Sequence, residues 1–464
     1  MTAVEAAAET FAVENPYTGE RVGQAPVVAP EAVRRILDVH ARARIDLSRY
    51  DRAQILERTA DRLAAATDEL ARLITLESGL CLRDTTYEVR RAVDVFRFAA
   101  GEALRDDGQV YACDTSANGR ARRAYTTREP VRLVGAITPF NHPLNQVAHK
   151  LAPAIAAGAP IALKPSEKTP LSALRLAAEL ALAGLPPEAC SVVTGDRSAI
   201  LDELLAHPGV EVVSFTGSVE VGKQIASRLG YRRAVLELGG NDPLLVLRDA
   251  DLDLAAALAA SGANRNSGQR CTAVKRIIVD ERVADAFVER LVVACRALVA
   301  GDPLDPNTDV GTVIDEEAAT TIERRLELAV AAGAELLIGG ARRGALVEPA
   351  VLDRVPPGCE LVAEETFGPV APVLRVRGVD EAIALANATP FGLSAGVVSN
   401  DLAAITRCIR ELRCGTVNVN EVPGYRTELT PFGGIKDSGL GVKEGVAEAI
   451  RAYTNVKLYT LPWP

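Results

Sequence analysis

Ser267-Gly268-Gln269-Arg270-Cys271-Thr272 sets a thiol in a short polar turn, with a guanidinium before it and a hydroxyl after it. The thiolate is the nucleophilic form, and nearby positive charge lowers the pKa of the thiol that supplies it. The same residues also suit an ordinary small buried cysteine, so the chemistry depends on partners elsewhere. In Val235-Leu236-Glu237-Leu238-Gly239-Gly240 a carboxylate ends an apolar run. Burial raises the pKa of such a carboxyl and makes it a general base; a capping or salt-bridged glutamate is the alternative. In Thr138-Pro139-Phe140-Asn141-His142-Pro143 an asparagine amide can donate to a developing oxyanion, or fill a turn.

Three further stretches point to a bound phosphate-bearing cofactor. Phe215-Thr216-Gly217-Ser218-Val219-Glu220-Val221-Gly222 reads as strand, glycine turn and helix start. Helix N-terminal amides bind pyrophosphate, although the spacing is G-x-x-x-x-G in place of G-x-G-x-x-G, and a plain βα turn fits too. Leu163-Lys164-Pro165-Ser166-Glu167 ends a strand with a cation and an acid, at the strand end where open α/β sheets take cofactors. Glu364-Glu365-Thr366-Phe367-Gly368-Pro369 and Pro431-Phe432-Gly433-Gly434 are glycine loops with one aromatic each.

The elements that must position these residues alternate. Strands are expected at 132–137, 161–163, 191–193, 212–215 and 234–238, with helices at 143–158, 171–183, 199–206 and 219–229 between them. That order predicts a parallel sheet covered on both faces. A second alternating block begins at Leu244, with a helix at 252–263 and strands at 276–279 and near Leu336, Val373 and Val397. Before the first sheet, Asn15-Pro16-Tyr17-Thr18-Gly19-Glu20 predicts a turn between two short strands. Helical periodicity runs from Pro30 to about Gly79 and again over 86–105. The tail from Ala452 reads as an extended strand able to pair with 120–131, a two-strand flap that seeks a sheet edge in another subunit.

At 464 residues, two or three domains are expected. A net charge of −9 argues against nucleic-acid or anionic-membrane binding. Eight cysteines without C-x-x-C, and no basic or apolar leader in the first ten residues, suit a reduced cytoplasmic protein. Four histidines without metal spacing predict no bound metal.

Taken together and in this order, these motifs resemble the aldehyde dehydrogenase superfamily over essentially the whole chain. Glu237 and Cys271 stand at the family's relative spacing. The resemblance implies an α/β fold with a Rossmann-type cofactor domain (1–117 and 133–240), an α/β catalytic domain (241–450) and a small β oligomerisation flap (118–132 and 451–464). It implies that Cys271 attacks the aldehyde, that Asn141 and the Cys271 N–H hold the oxyanion, and that Glu237 activates water. It places Lys164, Ser166, Glu167, Gly217, Ser218, Gly222, Glu365 and Phe367 around NAD, and makes the protein a homodimer or homotetramer. A carboxylate at Glu167 accepts from a free ribose 2′-hydroxyl and repels a 2′-phosphate, so NAD is expected over NADP.

Two residues depart from the commonest family pattern: His142 after the oxyanion asparagine and Arg270 before the nucleophile. Arginine forks suit phosphate, phosphonate or carboxylate oxygens; the alternative is that Arg270 turns to a structural carboxylate. The stretches Phe140–Pro143 and Pro423-Gly424-Tyr425-Arg426-Thr427-Glu428-Leu429-Thr430 look like the phosphonoacetaldehyde and phosphonoformaldehyde dehydrogenase group. That resemblance implies an anionic aldehyde held by Arg91, His142 and Arg270, with Arg426 and Thr427 in the closing loop. The same chemistry on glyceraldehyde 3-phosphate, lactaldehyde or a semialdehyde is the enzyme alternative. Transfer to coenzyme A, or a non-catalytic protein in the manner of lens-type relatives, lies further off.

Overall fold

The computed structural model describes residues 9–442 and 444–463. Residues 1–8, Lys443 and Pro464, which fall in the expected cofactor, catalytic and flap ranges, lie outside the described residues.

The first sheet has five parallel strands in the order Cys190–Val192, Ile161–Lys164, Val134–Ile137, Val212–Thr216, Arg233–Glu237. Successive side chains of a strand point to opposite faces, and here both faces are covered. Val134, Ala136, Ile161, Leu163 and Val235 join one apolar core, while Ala162, Val213, Phe215 and Leu236 join the other. This is why the strands read as continuous apolar runs. The second sheet has seven strands, parallel except for the edge strand Glu335–Ile338, which pairs antiparallel with Ala350–Asp353. Leu244, Ile277 and Val373 face one of its cores, and Leu245, Ile278 and Val397 the other. Strands Ala350–Asp353 and Thr416–Val419 are additional to those expected.

Several expected elements shift. The 30–79 region forms three helices, Pro30–Arg42, Arg49–Ala65 and Thr67–Ser78; the break at 43–48 ends in Ser48, whose side chain forms a capping box with Asp51. The next helix is Leu82–Ala103, starting four residues before the expected 86. The helix after Asn141 begins at Asn145, not Pro143: residues 141–142 form a bend and 143–144 a turn before it. Its first N–H groups, of Leu144 and Asn145, donate to buried Glu88 at 2.8 and 2.9 Å, supplying a cap that Leu144 lacks.

The expected turn at 15–20 joins antiparallel strands Glu9–Glu14 and Arg21–Val27. The flap pairs Arg122–Pro130 with Thr454–Pro462, antiparallel over nine residue pairs. It has three strands, not two: Val110–Ala112 pairs with 123–125 on the other edge, because the segment 113–121 folds back in a tight turn. Among the described residues, no helix is long and apolar enough to cross a membrane.

Candidate active site

A cleft of about 410 Å³ opens where Ile137, Lys164, Thr216 and Glu237 end four of the five parallel strands. Lys164, Ser166, Glu167, Gly217 and Ser218 line it, and so do Asn141, Glu237, Cys271, Glu365 and Phe367. The motifs that lie far apart in sequence therefore share one space. Gly222 does not line it. That residue sits one turn into the helix Val219–Arg228, where an added Cβ would stand 2.4 Å from the Leu238 side chain, so it serves helix–strand packing.

Cys271 sits at the end of a backbone turn that few residues tolerate. Asn266, Ser267 and Gly268 are all left-handed, with φ of 60°, 52° and 71°. Two non-glycine residues in this region store strain that surrounding contacts must hold. Buried Asp84 accepts from the Asn266 N–H at 2.6 Å, and the Asn266 amide donates to the Asn141 carbonyl at 2.8 Å. At Gly268 a Cβ would lie 2.0 Å from the Gly368 carbonyl, so only glycine closes the turn. The Asn141 side-chain amide donates one hydrogen to the Gln269 carbonyl at 2.8 Å. An NH₂ group carries two, so the other is available to an oxyanion, as is the Cys271 N–H, which makes no bond among the described residues. Glu237 is buried at the end of its strand; a Cβ at Gly433 would come within 2.5 Å of its Oε1.

Beyond Cys271 lies a cluster of cations. Arg91 donates through Nε to Glu428 at 2.5 Å, and His149 bonds the other oxygen of Glu428 at 2.5 Å. Arg426 lies 3.9 Å from that same oxygen and stacks 4.0 Å over the ring of Phe432. His142 approaches Glu88 at 3.4 Å. Burial pushes the His142 imidazole below its ordinary pKa, with Glu88 opposing and Arg91 and Arg270 adding to the effect. Arg270 does not turn to a structural carboxylate: its Nη2 donates to the Gly262 carbonyl at 3.2 Å. Arg270 Nε and Arg426 Nη1 are buried without a hydrogen-bond partner among the described residues. Arg91 is tied to Glu428 rather than free, and Thr427 is exposed, away from the buried cluster.

The aldehyde dehydrogenase family model matches residues 3–459. The chain belongs to the aldehyde dehydrogenase family. It is 37% identical over 458 residues to a 3-sulfolactaldehyde dehydrogenase of Priestia aryabhattai, covering 98% of this chain and 96% of that one. It is 39% identical over 452 residues to aspartate-semialdehyde dehydrogenase 1 of Pseudomonas canavaninivorans, covering 97% and 96%. Among solved structures, the NADP-dependent glyceraldehyde-3-phosphate dehydrogenase of Bacillus halodurans C-125, complexed with NADP, superposes with a TM-score of 0.96. Its identity is 35%, over 98% of this chain and 96% of that one.

This aldehyde dehydrogenase oxidises aldehydes to acids with a nicotinamide cofactor. The cleft fits that group. It lies at the carboxyl ends of parallel strands and beside the N-terminus of the helix Val219–Arg228. Lys164 and Glu167, paired at 2.8 Å, offer a donor and an acceptor for ribose hydroxyls. Burial opposes ionisation of Glu167, but Lys164 outweighs it and holds the carboxyl below its usual range.

In this aldehyde dehydrogenase burial acts on the thiol against the charge effect that the hexapeptide implies. Burial pushes Cys271 up to about 11; Lys275 is the largest charge opposing that rise, and Asp242 and Glu365 add to it. Lys275 is buried, donating to the Cys271 carbonyl at 2.9 Å, to the Gly240 carbonyl at 2.7 Å and to Glu365 at 2.5 Å. A raised pKa means the reactive thiolate is scarce at neutrality and its fraction grows tenfold per pH unit below the pKa. Alkylation of Cys271 by iodoacetamide in the cofactor-free protein is therefore expected to speed up about 100-fold from pH 7 to pH 9. Mass spectrometry of the Cys271 peptide gives the rate; a plateau below pH 8 overturns this account of the thiol.

Sequence reasoning gave no role to Lys275, Asn266, Glu88, His149 or Glu428. Only Asn266 had a usable local signal, since Asn-Ser-Gly is a composition that tolerates left-handed backbone.

Proposed function

We propose that this aldehyde dehydrogenase oxidises a short aldehyde bearing an anionic head, of the phosphonate or sulfonate type, to the corresponding acid. The observation that carries this is the pair of buried guanidinium donors without a hydrogen-bond partner among the described residues, Arg270 Nε and Arg426 Nη1. A buried donor left unsatisfied costs free energy that a ligand oxygen recovers. An uncharged aldehyde gives them nothing. The sulfolactaldehyde and aspartate-semialdehyde relatives support the reading, since both names denote aldehydes with an acidic terminus.

The residues then act as follows. The Cys271 thiolate adds to the aldehyde carbon, and the carbonyl electrons become an oxyanion held by the free Asn141 amide hydrogen and the Cys271 N–H. When bound, the nicotinamide accepts the hydride that this adduct releases. Cys271 is left as a thioester. Glu237 takes a proton from water, which adds to the thioester and frees the acid and the thiolate. A carboxylate lining the cleft supports water over coenzyme A as the acyl acceptor. Glu167 supports NAD over NADP, and the eight free cysteines support a reducing compartment. The exposed Val456, Leu458, Leu461 and Trp463 of the flap support homo-oligomerisation, which light scattering of the intact chain reads directly.

Initial rates with phosphonoacetaldehyde, sulfoacetaldehyde, glyceraldehyde 3-phosphate, lactaldehyde and propanal, each with NAD and NADP, test the reading. The best anionic substrate is expected to exceed propanal about 100-fold in kcat/KM, roughly 2.7 kcal/mol. Arg270→Ala is expected to erase most of that gap. Equal rates on propanal, unchanged by Arg270→Ala, would return Arg270 to a structural role.

A further inference from the structure

The anion cluster holds more acid than an anion site needs. Glu428 is buried, yet both its oxygens are engaged from three directions: Arg91 from the helix Leu82–Ala103, His149 from the helix Asn145–Ala157, and Arg426 from its own loop. Burial favours the neutral acid, but Arg91, His149 and Arg426 outweigh it and hold the carboxyl far below its ordinary range. Glu428 is therefore a fixed negative charge within the same arginine cluster that the anionic-aldehyde reading invokes.

We propose that Glu428 sets the charge this site accepts, so that the favoured substrate carries a singly charged head, a sulfonate or carboxylate, over a doubly ionised phosphonate or phosphate. The inference rests on the anionic-aldehyde reading above and refines it.

The charges around the cluster can be counted. Arg91, Arg270 and Arg426 are set against Glu428 and Glu88. Arg265 is paired with Asp84, and Lys150 with Glu444. Burial lowers both His142 and His149, with Glu88 opposing at His142 and Glu428 opposing at His149, and Tyr87 lies under the guanidiniums of Arg91 and Arg265. Between these arginines and carboxylates, one positive charge remains in excess. Burial pushes Arg270 down to about 10, with Arg265 and Arg91 adding to that effect and Asp84 opposing it; its Nε has no hydrogen-bond partner among the described residues. A monoanion supplies one. A dianion would bring a second charge with no partner into a poorly solvated place, where unpaired charge is costly. Without Glu428, the same three arginines would match a dianion.

The test compares sulfoacetaldehyde, phosphonoacetaldehyde and propanal from pH 6 to 9. The sulfonate stays singly charged throughout, while the phosphonate loses its second proton around neutrality, as a phosphate ester does. Cys271 titrates identically for both, so the ratio of kcat/KM values cancels it. For the unmodified protein, the sulfonate is expected to exceed the phosphonate at least tenfold at pH 8.5. The gap should narrow as the pH falls and the phosphonate becomes a monoanion. Glu428→Gln keeps the shape and removes the charge, and is expected to shift the pH 8.5 ratio at least tenfold towards the phosphonate. If both anions beat propanal but their ratio is flat with pH, or favours the dianion, this inference falls and the anionic-aldehyde reading stands. If neither beats propanal, both fall. The pH series on the unmodified protein decides the matter even if Glu428→Gln does not fold.

Discussion

Replacing Cys271 with alanine is expected to reduce nicotinamide reduction by about 10⁴-fold or more on every aldehyde, roughly 5 kcal/mol of barrier. A free aldehyde carbon cannot give up hydride; it does so once a nucleophile has made it a tetrahedral oxyanion. The turn through Asn266, Ser267 and Gly268 brings a single thiol to that point. No other cysteine lines the cleft among the described residues. The contacts of Lys164, Glu167 and Ser218 lie outside this loop. Fluorescence titration should therefore show the alanine variant still binding the reduced cofactor, which separates lost chemistry from lost fold. A variant retaining more than a few per cent of the rate would remove Cys271 from the mechanism.

Glu237→Gln is expected to divide the reaction in two. The first turnover should release close to one equivalent of reduced cofactor per site, because thiol addition and hydride loss need no base at Glu237. The steady rate after it should fall by about 10²–10⁴-fold, the usual range for a lost general base. Rapid-mixing absorbance records both phases, and acid quenching followed by mass analysis should find the acyl group on Cys271. If the first turnover slows as much as the rest, Glu237 acts before hydride transfer and the assignment of water activation is wrong. The tight approach at Gly433, which a Cβ would obstruct, indicates that the carboxylate has one narrow berth. Glutamine fits that berth and cannot accept the proton.

Cys271, Asn141 and Glu237 were legible because each sits in a local pattern: a strand end or glycine turn whose neighbours announce it. The parallel sheet was legible for the same reason, since apolar runs alternate with helical periods. What was not legible is what faces these residues from far along the chain. Glu428 meets Arg91 across 337 residues and His149 across 279, and nothing local to any of them signals the meeting. The electrostatics went astray on the same ground. Arg270 adjoins the thiol in sequence, but Lys275, folded beneath the loop, is the larger charge acting on it, and burial outweighs both. The packing of Gly222 was not legible either, because its partner, the Leu238 side chain, stands just past the strand Arg233–Glu237.

The flap has a consequence for how the chain is made. Strand Arg122–Pro130 finds its main partner in Thr454–Pro462, synthesised more than 300 residues later. At about 5–20 residues per second, the earlier strand waits roughly 15–65 seconds on the ribosome with one edge open. The strand that waits is the charged one, RRAYTTREP, whose arginines and glutamate discourage pairing with other nascent chains, and the more apolar TNVKLYTLP arrives only when its place is ready.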